Sequence, residues 1–172
     1  IRGDEPIRSS TALAICIRNE DPERLTRNLS WMLERLAQSG QGRWFHVYML
    51  SDSNQPDILA AEQQLAESLS ARFHGQVAVT WRQRVAGEGF KAGNLRDFLD
   101  RWGSQHEYMI VLDADSVMPA DAVLRDHLRT TRGWEKAELS QASRAVFGFY
   151  RWGGWIDGTL KLESQIRSGL EI

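Results

Sequence analysis

Hydrophobic and polar positions alternate along the first two thirds of this chain in two rhythms. Thr11-Ala12-Leu13-Ala14-Ile15-Cys16-Ile17 is an unbroken apolar run of strand length, the pattern of a strand buried on both faces. Asn19-Glu20-Asp21-Pro22 then reads as a helix start, with Asp21 as N-cap and Pro22 at the first helical position. Leu25, Leu29, Met32, Leu33 and Leu36 follow at helical spacing until Ser39-Gly40-Gln41-Gly42 stops the helix. The same alternation predicts a strand over Trp44 to Leu50, a polar turn over Ser51 to Pro56, a helix over about Asp57 to Arg72 and a strand over Gln76 to Trp81. Arg82 to Phe90 reads as a loop, Lys91 to Trp102 as a helix, Tyr108 to Leu112 as a strand and Pro119 to Arg129 as a further helix. Residues 1–10, with Gly3 and Pro6, read as an extended lead-in.

Strand alternating with helix predicts an α/β fold with a mostly parallel, doubly wound, Rossmann-like sheet. Such sheets bind ligands at the carboxyl ends of their strands. Asn19, Asp52 and Asp113 each fall just beyond such an end. From about Trp134 the pattern changes. Phe147 to Trp155 is aromatic and glycine-rich, residues 156–172 carry a weak helical period through Ile156, Leu160, Leu162 and Ile166, and no strand is expected after Leu112. The expected organisation is a ligand-binding region over residues 1–125 and an unassigned tail over 126–172.

Composition narrows the classes. The 172 residues carry a net charge of −2, so no basic field exists to hold a nucleic-acid backbone. Mean hydropathy is −0.43, and no apolar run approaches the ~18 residues of a membrane span. A single cysteine, Cys16, excludes an internal disulfide, suits a reducing compartment and reads as a small buried hydrophobe. The first residue is Ile1, and the chain reads as a fragment of a larger protein. Of the seven tryptophans, Trp31 and Trp81 read as core, while Trp152 and Trp155 suit a core or an interface role. His46, His74, His106 and His127 lack zinc-ligand spacing.

Four groups carry candidate chemistry. Asp113-Ala114-Asp115 sets two carboxylates one residue apart at a strand end, a donor set for Mg²⁺ or Mn²⁺ with a diphosphate; the plain alternative is a turn cap beside an exposed aspartate. Asp52 after the second strand suits a ribose or base edge, or else an Asx-turn. Lys91 in Phe90-Lys91-Ala92-Gly93-Asn94 stands at a helix start where anions are favoured, with Arg82 and Arg84 upstream; its alternative is a solvated lysine. Asn19 and Glu20 can contact a nucleoside or cap the following helix.

In this order the motifs resemble the inverting family 2 glycosyltransferases of the GT-A fold. More narrowly, Gly3-Asp4-Glu5-Pro6, Asn19-Glu20-Asp21, Leu50-Ser51-Asp52-Ser53-Asn54, Lys91-Ala92-Gly93-Asn94 and Val111 to Met118 are similar to the group that builds osmoregulated periplasmic glucans from UDP-glucose at the bacterial inner membrane. The similarity covers about residues 3–125. It implies that Asp52 binds uracil or ribose with Asn19 and Glu20 nearby, that Lys91 faces the diphosphate, and that Asp113 contacts UDP and holds Mg²⁺ or Mn²⁺ with Asp115. It implies a UDP-sugar donor, a glucan acceptor and inversion at the anomeric carbon. It also implies a parent protein at the cytoplasmic face of the inner membrane, anchored through segments absent from this chain.

The chain departs from the family in two ways. It shows neither the family's acceptor-side aspartate in a Thr-Glu-Asp-like motif nor its Gln-x-x-Arg-Trp-like closing motif. Asp121 and Asp126 follow the metal motif too closely to be the general base, and nothing supports Glu163. A general base contributes roughly 10²–10⁴-fold, so this chain alone is expected to transfer little sugar. Two other readings stay open: a non-catalytic nucleotide-sugar-binding or regulatory module, and a nucleotidyltransferase. The second ranks lower because Arg18-Asn19-Glu20-Asp21 stands where a glycine- and arginine-rich loop belongs.

Overall fold

The computed structural model describes residues 7–85, 89–115, 146–156 and 159–164, the last two segments as backbone. The chain enters through β1 (Thr11–Ile17) and turns at Asp21, whose Oδ1 accepts the Arg24 N–H at 2.7 Å. That cap, with Pro22 behind it, starts α1 (Pro22–Gln38) as the sequence predicts, and is worth about 1 kcal/mol. β2 (Phe45–Ser51), α2 (Pro56–Arg72), β3 (Ala78–Gln83), α3 (Phe90–Trp102) and β4 (Tyr108–Asp113) follow.

The strand order is β3-β2-β1-β4-β5-β6, with the first four strands parallel. The chain winds outward from β1 to β3, then returns to place β4 on the other side of β1. A reversal of winding with right-handed crossovers sends the helices to opposite faces. Period-two alternation in the strands serves both. Leu13, Ile15, Ile17, Val47, Met49, Ile110 and Leu112 pack against α1 and α2. Ala12, Ala14, Tyr48, Leu50, Met109 and Val111 pack against Leu95, Phe98 and Leu99 of α3. The small side chains of β1 on that second face leave room for Tyr48 and Phe98, whose rings meet edge-to-face at 4.8 Å.

Several expectations need correction. β3 begins two residues late and takes in Arg82 and Gln83, because the Gln76 and Val77 N–H groups still bond the Phe73 carbonyl around Gly75 at φ +75°. Trp31 is 37% exposed, lying off the apolar stripe of α1 rather than in the core. Strands do follow Leu112: β5 (Val146–Ile156) pairs antiparallel with β4, and β6 (Thr159–Ser164) with β5. The open edge of β4 needs a partner, and the aromatic run that reads as irregular from its glycines has strand propensity. Leu160 and Leu162, two apart, belong to a strand rather than to a helix. The register shift between Val111 and Leu112 puts a bulge beside the last residues of β4, next to Asp113. The expected helix over Pro119 to Arg129 and the expected boundary near residue 125 lie outside the described residues. Among the described residues, no helix is long and apolar enough to cross a membrane.

Candidate functional site

Because the first four strands are parallel, their carboxyl ends share one edge of the sheet. Winding reverses between β1 and β4, and a crevice opens beyond their carboxyl ends at such a point. Register places Asp113 opposite Cys16, Cys16 opposite Leu50, and Leu50 opposite Arg82. Cross-strand partners point to the same face, so these four side chains form a row beneath α3.

Asp113 closes this row on the β4 side, and its side chain is 39% exposed. Its carboxylate is ion-paired with the Lys91 ammonium. Lys91 comes from the first turn of α3, entered through Gly89 at φ +73° and Phe90 at φ +48°. A Cβ on Gly89 would lie 3.2 Å from the Gly93 backbone, so glycine meets both the left-handed conformation and the crowding. Asp115 is exposed in the turn that follows β4.

Asp52 follows the end of β2, and the ladder continues past it. Its N–H bonds Ile17 O at 2.9 Å, and the Arg84 N–H bonds Ser51 O at 2.9 Å. The Asp52 carboxylate accepts from Arg84 Nε at 2.9 Å and Nη2 at 2.6 Å, with both side chains about a tenth exposed. Hydrogen bonding to Asp52 holds the Arg84 guanidinium above its ordinary pKa. The Nη2 also donates to Phe90 O at 2.9 Å, linking this pair to the entry of α3. Phe90 is 72% exposed beside them, with the Arg18 guanidinium 5.9 Å from its ring centre.

Asn19 adopts φ +52° in the loop after β1 and is tied to the loop after β2. Its N–H donates to Ser53 Oγ at 2.8 Å, its Nδ2 donates to Asn54 Oδ1 at 2.9 Å, and its Oδ1 accepts the Asn54 N–H at 3.1 Å. Ser53 Oγ in turn donates to Glu62 Oε1 at 2.5 Å, and Glu62 Oε2 accepts Trp81 Nε1 at 3.2 Å. Glu62 is 1% exposed, so this carboxylate joins α2, β3 and both loops inside the fold.

The structure thus gathers Asn19, Asp52, Lys91 and Asp113 at one edge. Glu20 instead pairs with Arg24 at 3.0 Å across one helical turn at the surface. Cys16 is partly buried among the α3-side core, and burial pushes its thiol up to about 12 against the opposing pull of Lys91. A thiol so disfavoured as thiolate is no nucleophile. Sequence reasoning put Arg82 and Arg84 only in a local basic pocket beside Lys91 and missed Ser53, Glu62 and Trp81 as a network. The signal for Arg84 was faint: a basic residue one position past the next strand's end, unremarkable until β2 and β3 are paired.

For a divalent cation the described residues offer Asp113 and Asp115, and no group of three or more His, Cys, Asp or Glu comes together among them. Mg²⁺ and Mn²⁺ accept one or two carboxylates with water and phosphate oxygens, so this hard-oxygen pair fits such an ion. Asp121 and Asp126 lie outside the described residues, and Glu163 is described only as backbone in β6.

No family model matches the chain. It is 44% identical over 123 residues to the glucans biosynthesis glucosyltransferase H of Escherichia coli (strain K12), covering 70% of this chain and 14% of that protein. It is 43% identical over 148 residues to the protein of the same name from Klebsiella pneumoniae (strain 342), covering 85% of this chain and 18% of that protein. The chain therefore spans less than a fifth of the relatives it matches. Among solved structures, a mannosyltransferase from Pyrobaculum calidifontis in complex with GDP-Man and Mn²⁺ superposes with a TM-score of 0.54 at 19% identity, covering 69% of this chain and 31% of that one. That likeness shows the fold: a mixed α/β domain with a parallel, Rossmann-like sheet of the glycosyltransferase kind.

Proposed function

We propose that this chain is the donor-binding part of an inverting glycosyltransferase that moves glucose from UDP-glucose to a β-glucan acceptor. The relatives named glucosyltransferase H support the reading. The observation that carries it is the meeting of Asp52, Lys91 and Asp113 at one edge of the sheet, beside the winding reversal.

Each residue has a role set by its surroundings. Asp52 receives the nucleoside. Arg84 already grips both of its oxygens, so the remaining lone pairs diverge and suit one N–H donor, as in uracil, better than the paired donors of guanine. Asn19 shapes the wall beside it. Lys91 and the first-turn amides of α3 face the diphosphate, where a positive helix end favours anions. Asp113 and Asp115 would hold Mg²⁺ or Mn²⁺, which when bound neutralises the departing diphosphate.

The reaction is an in-line displacement. An acceptor hydroxyl oxygen bonds the anomeric carbon, the bond from that carbon to the phosphate oxygen breaks, and UDP leaves with the electron pair. The hydroxyl proton passes to a general base that is not identified in this chain. In this reading the whole protein acts at the cytoplasmic face of the bacterial inner membrane.

The test is calorimetric titration of UDP and UDP-glucose into this chain with and without Mn²⁺ or Mg²⁺, beside Asp113→Ala. Metal-dependent binding that the substitution abolishes supports the donor site. A folded chain that ignores UDP in the presence of metal overturns it.

A further inference from the structure

A buried guanidinium lies next to the candidate site without joining it. Arg82 stands in β3 with its side chain 6% exposed. Taking a guanidinium out of water costs several kcal/mol, and an apolar side chain of similar volume commonly serves stability as well. The partners of Arg82 show what it does instead. Its Nη2 donates to the main-chain oxygen of Asn94 at 3.1 Å, and its Nε is ion-paired with Asp97 at 3.1 Å. Both partners belong to α3. Asn94, 1% exposed, donates from Nδ2 to Leu50 O at 3.0 Å near the end of β2. The second turn of α3 is therefore tied to β2 and β3 by two hydrogen bonds, Asn94 Nδ2 to Leu50 O and Arg82 Nη2 to Asn94 O, while Arg82 Nε and Asp97 Oδ2 attract as an ion pair without forming a hydrogen bond.

One turn earlier on the same helix, Lys91 meets Asp113. Residues three apart lie on one side of a helix, so Asn94 sits directly under Lys91. The helix spans the cross-strand row, held at Asp113 by Lys91 and at Leu50 and Arg82 by Asn94 and Asp97. Its entry has no side-chain cap and runs through two left-handed residues, Gly89 and Phe90. Below the pins, contact is apolar, through Leu95, Phe98 and Leu99. Apolar packing is non-directional, whereas hydrogen bonds fix rotation and height.

We propose that Arg82 and Asn94 are positioning residues that set the first turn of α3 and so the point at which the Lys91 ammonium meets the donor's diphosphate. The proposal rests on the reading of Lys91 above. A small misplacement of a binding group costs much of its effect, which is why a supporting set of contacts is needed.

The experiment is a double-mutant cycle on UDP affinity in excess Mn²⁺, by calorimetry, with wild type, Lys91→Ala, Arg82→Met and the double variant. Arg82→Met keeps length and apolar contact, and Asp97 retains Arg101 at 3.1 Å, so the fold is expected to persist. Lys91→Ala should weaken UDP about tenfold. Arg82→Met should weaken it about as much when Lys91 is present and by less than about twofold when it is not, at unchanged stoichiometry. A purely structural role would lower the competent fraction, or weaken binding equally in both backgrounds, and either outcome overturns the proposal. Unchanged affinity in Lys91→Ala overturns the reading of Lys91 itself, and the proposal with it. Lys91→Ala weakened with Arg82→Met unchanged overturns the positioning role alone. Should Arg82→Met lose its circular-dichroism signal, Asn94→Ala enters the same cycle with the same expected pattern.

Discussion

The chain of bonds from Asn19 through Ser53 to Glu62 makes a sharp demand on Ser53. Its hydroxyl accepts the Asn19 N–H and donates to Glu62 Oε1, and its side chain is 3% exposed. Ser53→Ala removes both bonds at once with little change in volume. Asn19 is only half-buried, so water can reach its freed N–H. Glu62, 1% exposed, keeps Trp81 Nε1 and loses its closer partner. A buried acceptor left without its donor costs ~1–3 kcal/mol, more when charged. The expected loss is about 2–4 kcal/mol for the variant. At ~2–4 °C per kcal/mol for a domain of this size, the thermal midpoint should fall by roughly 4–16 °C. Thermal unfolding followed by circular dichroism measures it. The paired control is Ser53→Ala with Glu62→Leu. Removing both partners of a buried polar contact is nearly neutral, so the double variant should recover most of the loss, with solvent serving the half-buried Trp81. A midpoint within about 1 °C of wild type for Ser53→Ala, or a double variant worse than the single one, would refute the reasoning.

Three further outcomes are expected. Gly89→Ala forces a Cβ into a left-handed position 3.2 Å from Gly93, so it should cost about 1–3 kcal/mol in denaturant unfolding and weaken metal-dependent UDP binding. Arg84→Met leaves the Asp52 carboxylate without its guanidinium at about a tenth exposure, and should cost about 1–3 kcal/mol, below the ~3–5 kcal/mol of a fully buried pair; its preference for UDP over GDP should narrow in competition titrations. At the opposite edge of the sheet, burial followed by the neighbouring His106 lowers the His46 pKa from 6.5 to about 4, and burial also lowers that of His106. Both rings are held neutral in the fold: Thr80 meets His46, and Tyr48 and Ser10 meet His106. The unfolded chain binds the His46 proton first, so the stability tied to it is complete above pH 6.5 and is lost as pH falls toward 4, and His106 acts in the same direction. His46→Gln should flatten that part of a stability–pH profile.

What the sequence determined by itself is what local pattern encodes. The apolar run of β1, the Asp21-Pro22 start of α1 and the helical stripe from Leu25 to Leu36 are readable because each depends on neighbours within one turn or one strand. The alternation of elements implies parallel strands, and parallel strands imply one shared carboxyl edge. That is why Asn19, Asp52 and Asp113 were legible as site candidates before any contact was known. Tertiary structure decided everything that needs register between distant segments. Asp52 meets Arg84 only once β2 and β3 are paired, and Glu62 meets Ser53 and Trp81 only once α2 lies on the sheet. Arg82 reads as loop in sequence because its charge argues against burial, until Asn94 and Asp97 on α3 supply partners. β5 was hidden for a like reason: its glycines read as irregular alone, and only the open edge of β4 makes them a strand. A charge or a glycine takes its meaning from what packs against it, and that partner lies tens of residues away.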